Sequence, residues 1–277
     1  MNLIHRRTIC RAIGLLTLTW ALSPTPSVQA NERRFAYAYE SGVMAPGTRE
    51  LEYWSTWRGG RAEFYSRFDH RLELELGLTD RLLTALYLNW RSISRNDPAN
   101  PDTTVTEQEF TGISSEWKYK LADPVADPVG AALYQEYTLA SDEFEWESKL
   151  ILDKKLGGTL LAYNLVVEPE WKFGPANSEW ELWVENVLGA THFVTPRFAA
   201  GLELRNPNLK TRGSAGLRHS ALFLGPTLSY AAKDWWLAAA FLKQLPAPKR
   251  SLANRQDSLV LDEHEKTNIR VLAAFRF

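Results

Sequence analysis

The segment Ser66-Arg67-Phe68-Asp69-His70-Arg71-Leu72-Glu73-Leu74-Glu75-Leu76-Gly77-Leu78 sorts its side chains by parity. One parity carries Phe68, His70, Leu72, Leu74, Leu76 and Leu78. The other carries Arg67, Asp69, Arg71, Glu73 and Glu75. A strand has a side-chain period of two, so it places all the leucines on one face and all the charges on the other. A helix would scatter both sets around its axis. The end of the chain behaves in the same way. Ile269, Val271, Ala273, Phe275 and Phe277 share one parity, and Asn268, Arg270, Leu272, Ala274 and Arg276 share the other.

Marking strands by alternation and turns by Gly, Pro, Asp and Asn yields twelve segments. They are Thr48–Arg58, Arg61–Leu78, Leu82–Ser94, Gln108–Leu121, Val129–Ser141 and Phe144–Leu156, followed by Thr159–Phe173, Trp180–Val194, Phe198–Leu209, Ala221–Ala232, Trp235–Pro248 and Lys266–Phe277. Strands of globular proteins run about five or six residues, whereas a tilted strand crossing a bilayer needs about nine to eleven. Most of these segments exceed the globular length. Tight connectors such as Thr79-Asp80-Arg81, Gly157-Gly158, Thr195-Pro196-Arg197 and Lys233-Asp234 alternate with longer ones, among them Arg95 to Glu107 and Arg250 to Glu265. Alternating short and long connectors fit a membrane barrel with turns on one side and loops on the other. The mature chain has no apolar run long enough for a spanning helix, and hydrocarbon tolerates spanning strands only in a closed barrel. The fold expected is therefore all-β, an antiparallel up-and-down transmembrane barrel of about 12 strands over residues 48–277.

Composition agrees. The 277 residues include Trp 11, Tyr 10 and Phe 12, many for a chain of negative mean hydropathy. Such rings suit the headgroup level, because one end is apolar and the other wet. Lys+Arg 32 against Asp+Glu 33 leaves no basic excess that would point to nucleic acid. The N-terminus reads as an export signal over residues 1–30. Basic Arg6, Arg7 and Arg11 are followed by an apolar run from Ala12 to Leu22, and Val28-Gln29-Ala30 forms a small-x-small site with cleavage expected after Ala30. Arg6-Arg7 also admits a twin-arginine reading, although such cargo folds before export and a membrane barrel does not. The only cysteine, Cys10, lies within this leader, so the mature chain has no disulfide, thiolate nucleophile or cysteine metal site. Residues 31–47 form a short segment expected at the periplasmic mouth. Phe35 to Glu40 alternates there before Met44-Ala45-Pro46-Gly47 interrupts it.

The closing residues Arg270-Val271-Leu272-Ala273-Ala274-Phe275-Arg276-Phe277 resemble the C-terminal signal of Gram-negative outer-membrane β-barrels, a terminal aromatic preceded by alternating apolar residues. The resemblance implies residence in the cell outer membrane, contact with its lipid, and recognition by the barrel-assembly machinery. The stretch Met44-Ala45-Pro46-Gly47-Thr48-Arg49-Glu50-Leu51-Glu52 looks like the opening of transporter-type barrels related to the phenol-degradation barrel family. That likeness covers about ten residues and implies transport.

With the leucine face in lipid, the charged face lines the lumen. The expected lining includes Arg67, Asp69, Arg71, Glu73 and Glu75, then Glu147, Lys149, Glu181 and Glu185. Glu203, Arg205, Arg270 and Arg276 complete it, and Trp54 and Trp183 share the inward parity. Interleaved signs predict a cross-strand lattice of ion pairs. Such a lattice serves two readings: a passive channel for small polar solutes or ions, with an acidic bias, or a structural barrel whose lumen the lattice plugs. The other tryptophans, Trp235 and Trp236 among them, read as an interfacial girdle. A lipid-modifying enzyme is the third reading. It would need a serine and histidine in register, and His219-Ser220 in an expected outer loop is the nearest approach. Neighbouring carboxylates such as Glu73 and Glu75 read as lattice members rather than an acid/base pair. No catalytic residue, cofactor or transition metal is expected. Calcium among the loop carboxylates Asp257, Asp262, Glu263 and Glu265 stays open beside a plain solvated loop.

Overall fold

The parity of Ser66–Leu78 is realised in β2 (Tyr65–Gly77), one of twelve antiparallel strands in a computed structural model that describes residues 32–174, 178–213, 215–251 and 258–277. The expected leader lies outside the described residues. The remaining strands are β1 (Arg49–Gly59), β3 (Leu82–Asn96), β4 (Thr104–Ala122), β5 (Gly130–Leu139), β6 (Glu143–Leu156), β7 (Thr159–Phe173), β8 (Ser178–Phe193), β9 (Phe198–Thr211), β10 (His219–Ala231), β11 (Trp235–Lys249) and β12 (Thr267–Arg276). Each pairs with its sequence neighbours, and β1 pairs with β12 from Glu50↔Arg276 to Gly59↔Thr267, which closes the sheet into a barrel. Closure leaves no edge strand, so every backbone ladder is satisfied within the protein.

The outward face is apolar. Leu51, Leu86, Leu88, Ile113, Leu133, Leu202 and Phe275 are exposed on it. A continuous apolar surface of this extent is stable against lipid and would aggregate in water. Exposed rings mark its two margins. On the outer side Tyr53, Phe68, His70 and Trp90 stack in sequence, with ring centroids 5.4–6.2 Å apart. Trp117, Tyr119, Trp235 and Phe277 lie exposed toward the other end.

Four local expectations are corrected. The connector from Arg95 to Glu107 is partly strand: β3 and β4 continue as a hairpin in register to Asn96↔Thr104, so that the open turn is only residues 97–103, and the extension carries the pairs Arg91–Glu109 and Arg95–Glu107. Both its faces are polar, so alternation gave no signal, although Thr104-Val105-Thr106 is strongly β-forming. In contrast, β2 begins only at Tyr65 and leaves Glu63 exposed in the preceding loop. His219 and Ser220 are the first residues of β10 and both are buried, rather than lying in a loop. Trp236 belongs to the lumen and not to the girdle. Adjacent residues on a strand face opposite ways, so with Trp235 in lipid the Trp236 indole is fully buried and donates to Glu50 Oε1 at 2.9 Å.

The lipid-facing assignment predicts that Leu88→Arg, near the middle of β3, destabilises the barrel by roughly 2–4 kcal/mol in phospholipid vesicles. Asn100→Arg, in the outer turn, should stay within about 0.5 kcal/mol. Urea unfolding of the two variants checks this.

Candidate functional site

The interior is divided into two levels by residues 32–47. Inside the barrel this segment forms no strand. Phe35, Ala36, Tyr37, Ala38 and Tyr39 are all buried in the lumen, joined with inward residues of β7, β10, β11 and β12 in one core. Its backbone is held by three side chains of the wall. The N–H groups of Ala36, Tyr37 and Ala38 donate to the Glu203 carboxylate at 3.0, 2.8 and 2.7 Å. Asn164 accepts from Tyr39 N–H at 2.7 Å and donates to Tyr39 C=O at 3.0 Å. Asp153 accepts from Ser41 N–H at 3.2 Å.

The wall makes room for this plug with small residues. Glu203 sits between Gly189 and Gly225 in the strand register. A Cβ at Gly189 would lie 2.6 Å from the Phe35 ring, so the glycine supplies the space that ring fills. Arg33 lies with its guanidinium carbon 4.0 Å from the Tyr39 ring centroid and 4.8 Å from that of Trp54. Burial pushes the Glu40 carboxyl up to about 7, against the opposing pull of Arg33 and the Arg34 N–H.

Above the plug lies a vestibule of about 350 Å³ in which arginines gather on one wall and most glutamates on another, with Asp69 among the first and Lys149 among the second. Tyr37, Tyr39 and Trp54 line it beside the plug. Arg58, Arg67, Arg71, Arg205 and Arg270 come from β1, β2, β9 and β12. Glu136, Glu145, Glu147, Glu168 and Glu170 come from β5, β6 and β7. Part of the predicted ion-pair lattice is present. Arg58 and Arg67 both hold Asp69, at 2.7 and 2.6 Å, and Arg71 reaches Glu136 at 2.8 Å. Lys149 holds Glu147 at 2.5 Å, and Arg205 holds Glu185 at 2.5 Å. On the acidic wall, however, register sets like charges opposite one another: Glu136↔Glu147, Glu145↔Glu170 and Glu170↔Glu181. Among the described residues, Glu145 and Glu168 have no ion pair. Arg270 has none either; it donates to Thr56 Oγ1 at 2.9 Å and lies 4.0 Å from the Tyr37 ring centroid.

The residues read from the sequence thus fall into separate places. Trp54, Arg67, Asp69, Arg71, Glu147, Lys149, Glu185, Arg205 and Arg270 line the vestibule. Glu203 seats the plug. Glu73, Glu75 and Arg276 are buried outside the vestibule, and Arg276 is paired with Glu50 at 2.7 Å. Glu181 is held by Lys172 at 2.8 Å, while Trp183 packs against His219 and His264. Tyr37, Tyr39, Asn164 and Asp153 were not foreseen as a unit. The available signal was glycine at inward parity on three neighbouring strands, Gly189, Gly201 and Gly225, which marks a wall cleared for something else.

Ser220 accepts from Asn206 at 3.0 Å, and His219 packs against the His264 ring, 4.9 Å between centroids. Burial holds His264 well below the usual imidazole range, with neighbouring His219 adding to the effect. Of the loop carboxylates, Asp262 is engaged by Ser251, Glu263 by Arg218 at 2.6 Å and Glu265 by Arg61 at 2.6 Å. Asp257 lies outside the described residues.

A closed barrel with an apolar outer band, aromatic margins and a charged interior defines a transmembrane β-barrel of the outer-membrane type. The chain belongs to the DUF6662 family, a family of unknown function, whose model matches residues 27–277. No curated protein sequence matches it. Among solved structures, the chain is similar to the COG4313 outer membrane channel from Pseudomonas putida F1, with 12% identity, TM-score 0.54, and 85% of this chain and 97% of that one covered. It is similar to the NanC porin at 12% identity and TM-score 0.51, over 82% of this chain and all of that one. The β domain of the Bordetella autotransporter BrkA matches at 10% identity and TM-score 0.51, over 84% of this chain and 100% of its own. At such identities the likeness establishes the fold.

The plug contacts predict that Glu203→Ala, which strands three buried N–H groups, weakens seating by about 3 kcal/mol. That is roughly a hundredfold in the released fraction. Gly189→Leu should act in the same direction by occupying the place of Phe35. Trypsin cleavage after Arg33 and Arg34 in the folded barrel is the readout, and both variants should be cut far faster than the parent.

Proposed function

We propose that this barrel is a gated channel for small polar solutes or ions in the outer membrane, closed at rest by residues 32–47. The observation that carries the reading is the vestibule itself. It is a charged cavity of about 350 Å³, lined on the plug side by Tyr37 and Tyr39 of the plug beside Trp54 of β1. Among the described residues, Arg270 on one wall and Glu145 and Glu168 on another have no ion pair, and a lumen meant only to be filled has no use for them. Placed across a narrow space, those charges orient a dipolar solute and supply partners to both of its ends. The volume suits a solute of monosaccharide or amino-acid size. Closure by a segment held in the lumen through hydrogen bonds, and joined to the wall by the chain only where it enters β1, suits a gate that can swing out. The terminal Phe277 with Phe275 and Val271 serves recognition by the barrel-assembly machinery, and the apolar outer band serves contact with outer-membrane lipid.

The competing reading is a structural barrel, and the close seating of Phe35 to Tyr39 favours it. Planar-bilayer recording separates the two. The mature chain should give small, infrequent conductance steps, and deletion of residues 32–44 should raise the conductance at least severalfold. A flat trace for both proteins at high load, with the folded state verified by heat-modifiable gel migration, would leave only the structural barrel.

A further inference from the structure

Three charges that line the vestibule have no ion pair among the described residues, and the sheet sets them on opposite sides. Arg270 stands on β12, Glu145 on β6 and Glu168 on β7. In the closed order β6 lies six strands from β12 by either route, so the arginine and the two carboxylates enter one lumen from opposite walls. Among the described residues Arg270 has one hydrogen-bond partner, Thr56 Oγ1, which accepts from its Nε at 2.9 Å and leaves both terminal nitrogens without an acceptor. Glu145 and Glu168 have no hydrogen bond among the described residues, although both face the cavity.

Their neighbours are already answered. On the basic side Arg58 and Arg67 hold Asp69, and Arg205 holds Glu185. On the acidic side Lys149 holds Glu147, and Lys172 lies 3.6 Å from Glu170. A charge withdrawn from bulk water favours a partner of opposite sign. The cavity therefore favours an anionic group at Arg270 and a cationic group at Glu145 and Glu168.

The aromatic rings separate the solute classes further. A neutral sugar packs its C–H faces on free aromatic faces, but here the rings are engaged by protein cations. Tyr37 carries the guanidinium carbons of Arg270 and Arg205 at 4.0 and 4.3 Å, and Tyr39 carries Arg33 and Lys149, both at 4.0 Å. A simple anion answers Arg270 and leaves the acidic side as it was, and a simple cation does the converse. A solute with both a carboxylate and an ammonium answers the two sides together. A guanidinium with free terminal nitrogens takes a carboxylate through parallel bonds, and the three donors of an ammonium can be shared between two carboxylates. Val166 and Val187 line the same cavity and offer an apolar surface to whatever joins the two ends. Taking the vestibule as the solute compartment of the proposed channel, we infer that it is a binding site for zwitterions of amino-acid or dipeptide size. Arg270 holds the carboxylate, and Glu145 and Glu168 hold the ammonium.

The test measures binding rather than conduction. Folded protein beginning at residue 31, in detergent, is dialysed against radiolabelled glycylglycine, with N-acetylglycylglycine, glycylglycine amide and glucose as competitors. A single glycylglycine should bind per chain, and the two analogues, each lacking one charge, should compete about tenfold more weakly. Glucose should not compete. Arg270→Gln should weaken glycylglycine about tenfold and leave the amide unchanged, because the amide has no carboxylate to lose. Glu168→Gln should weaken glycylglycine to a similar extent and leave the N-acetyl form unchanged, and Glu107→Gln in the outer hairpin should change nothing. If Arg270→Gln does not fold, as heat-modifiable migration reports, the Glu168→Gln measurements carry the test. Absence of binding, glucose competing as well as glycylglycine, or binding that survives both inward substitutions would overturn the site. Equal competition by N-acetylglycylglycine would also overturn it, and would mean that the acidic side carries protons and the cavity takes anions. The expected pattern in a protein whose bilayer traces stay flat would sink the channel and keep the site, whereas conduction without that pattern would do the reverse.

Discussion

The structure rests on one constraint: within hydrocarbon, each backbone N–H and C=O must find its partner inside the protein. Twelve strands meet it only because β1 and β12 pair over ten residues and leave no edge. Once the sheet is closed, side-chain period does the rest. Each strand has one face in lipid and one in a narrow lumen, so charges that would be unremarkable on a soluble surface become buried neighbours. What the molecule does follows from how those inward charges are answered.

They are answered in three ways at three places. In the vestibule, arginines on β1, β2 and β9 hold carboxylates across or along strands, and a remainder on opposed walls stays unpaired. At the plug, Glu203 spends its charge on three backbone N–H groups rather than on a side-chain cation. Such charge-assisted bonds are strong where water is excluded. Beside the plug, Glu52, Glu73, Glu75 and Glu116 are buried together, and Arg33 of the plug comes within 3.9 Å of Glu52. The plug is linked to all three: Tyr37 carries Arg270 on its ring, Ala36 to Ala38 engage Glu203, and Arg33 faces Glu52.

Much of this is legible in the sequence, and the reason is local. Leu72-Glu73-Leu74-Glu75-Leu76 reports its own two faces, so strand existence, strand length and inward parity follow without knowledge of partners. The β3–β4 hairpin beyond the membrane escapes because both its faces are polar and leave no period. Residue type alone groups Trp236 with the girdle, whereas its parity, one step from Trp235, places it inside. The plug is a different kind of omission. Residues 35–40 alternate like a strand, yet their backbone bonds go to Glu203 and Asn164, and that of the following Ser41 to Asp153, more than a hundred residues away. Only the register that puts Gly189 and Gly225 beside Glu203 reveals the space they occupy.

Vestibule and gate alike depend on residues 32–47 occupying the lumen of the folded barrel. Residues 31–277 contain no cysteine, so in a protein that begins at residue 31 Ala38→Cys supplies a single thiol at a position with no exposed surface. Maleimide labelling of that variant, folded in lipid vesicles, is the most direct measurement. Labelling should be at least a hundredfold slower than for Thr79→Cys in the exposed β2–β3 turn, with protection lost on unfolding in urea. Equal labelling rates for the two thiols in the folded protein would contradict it.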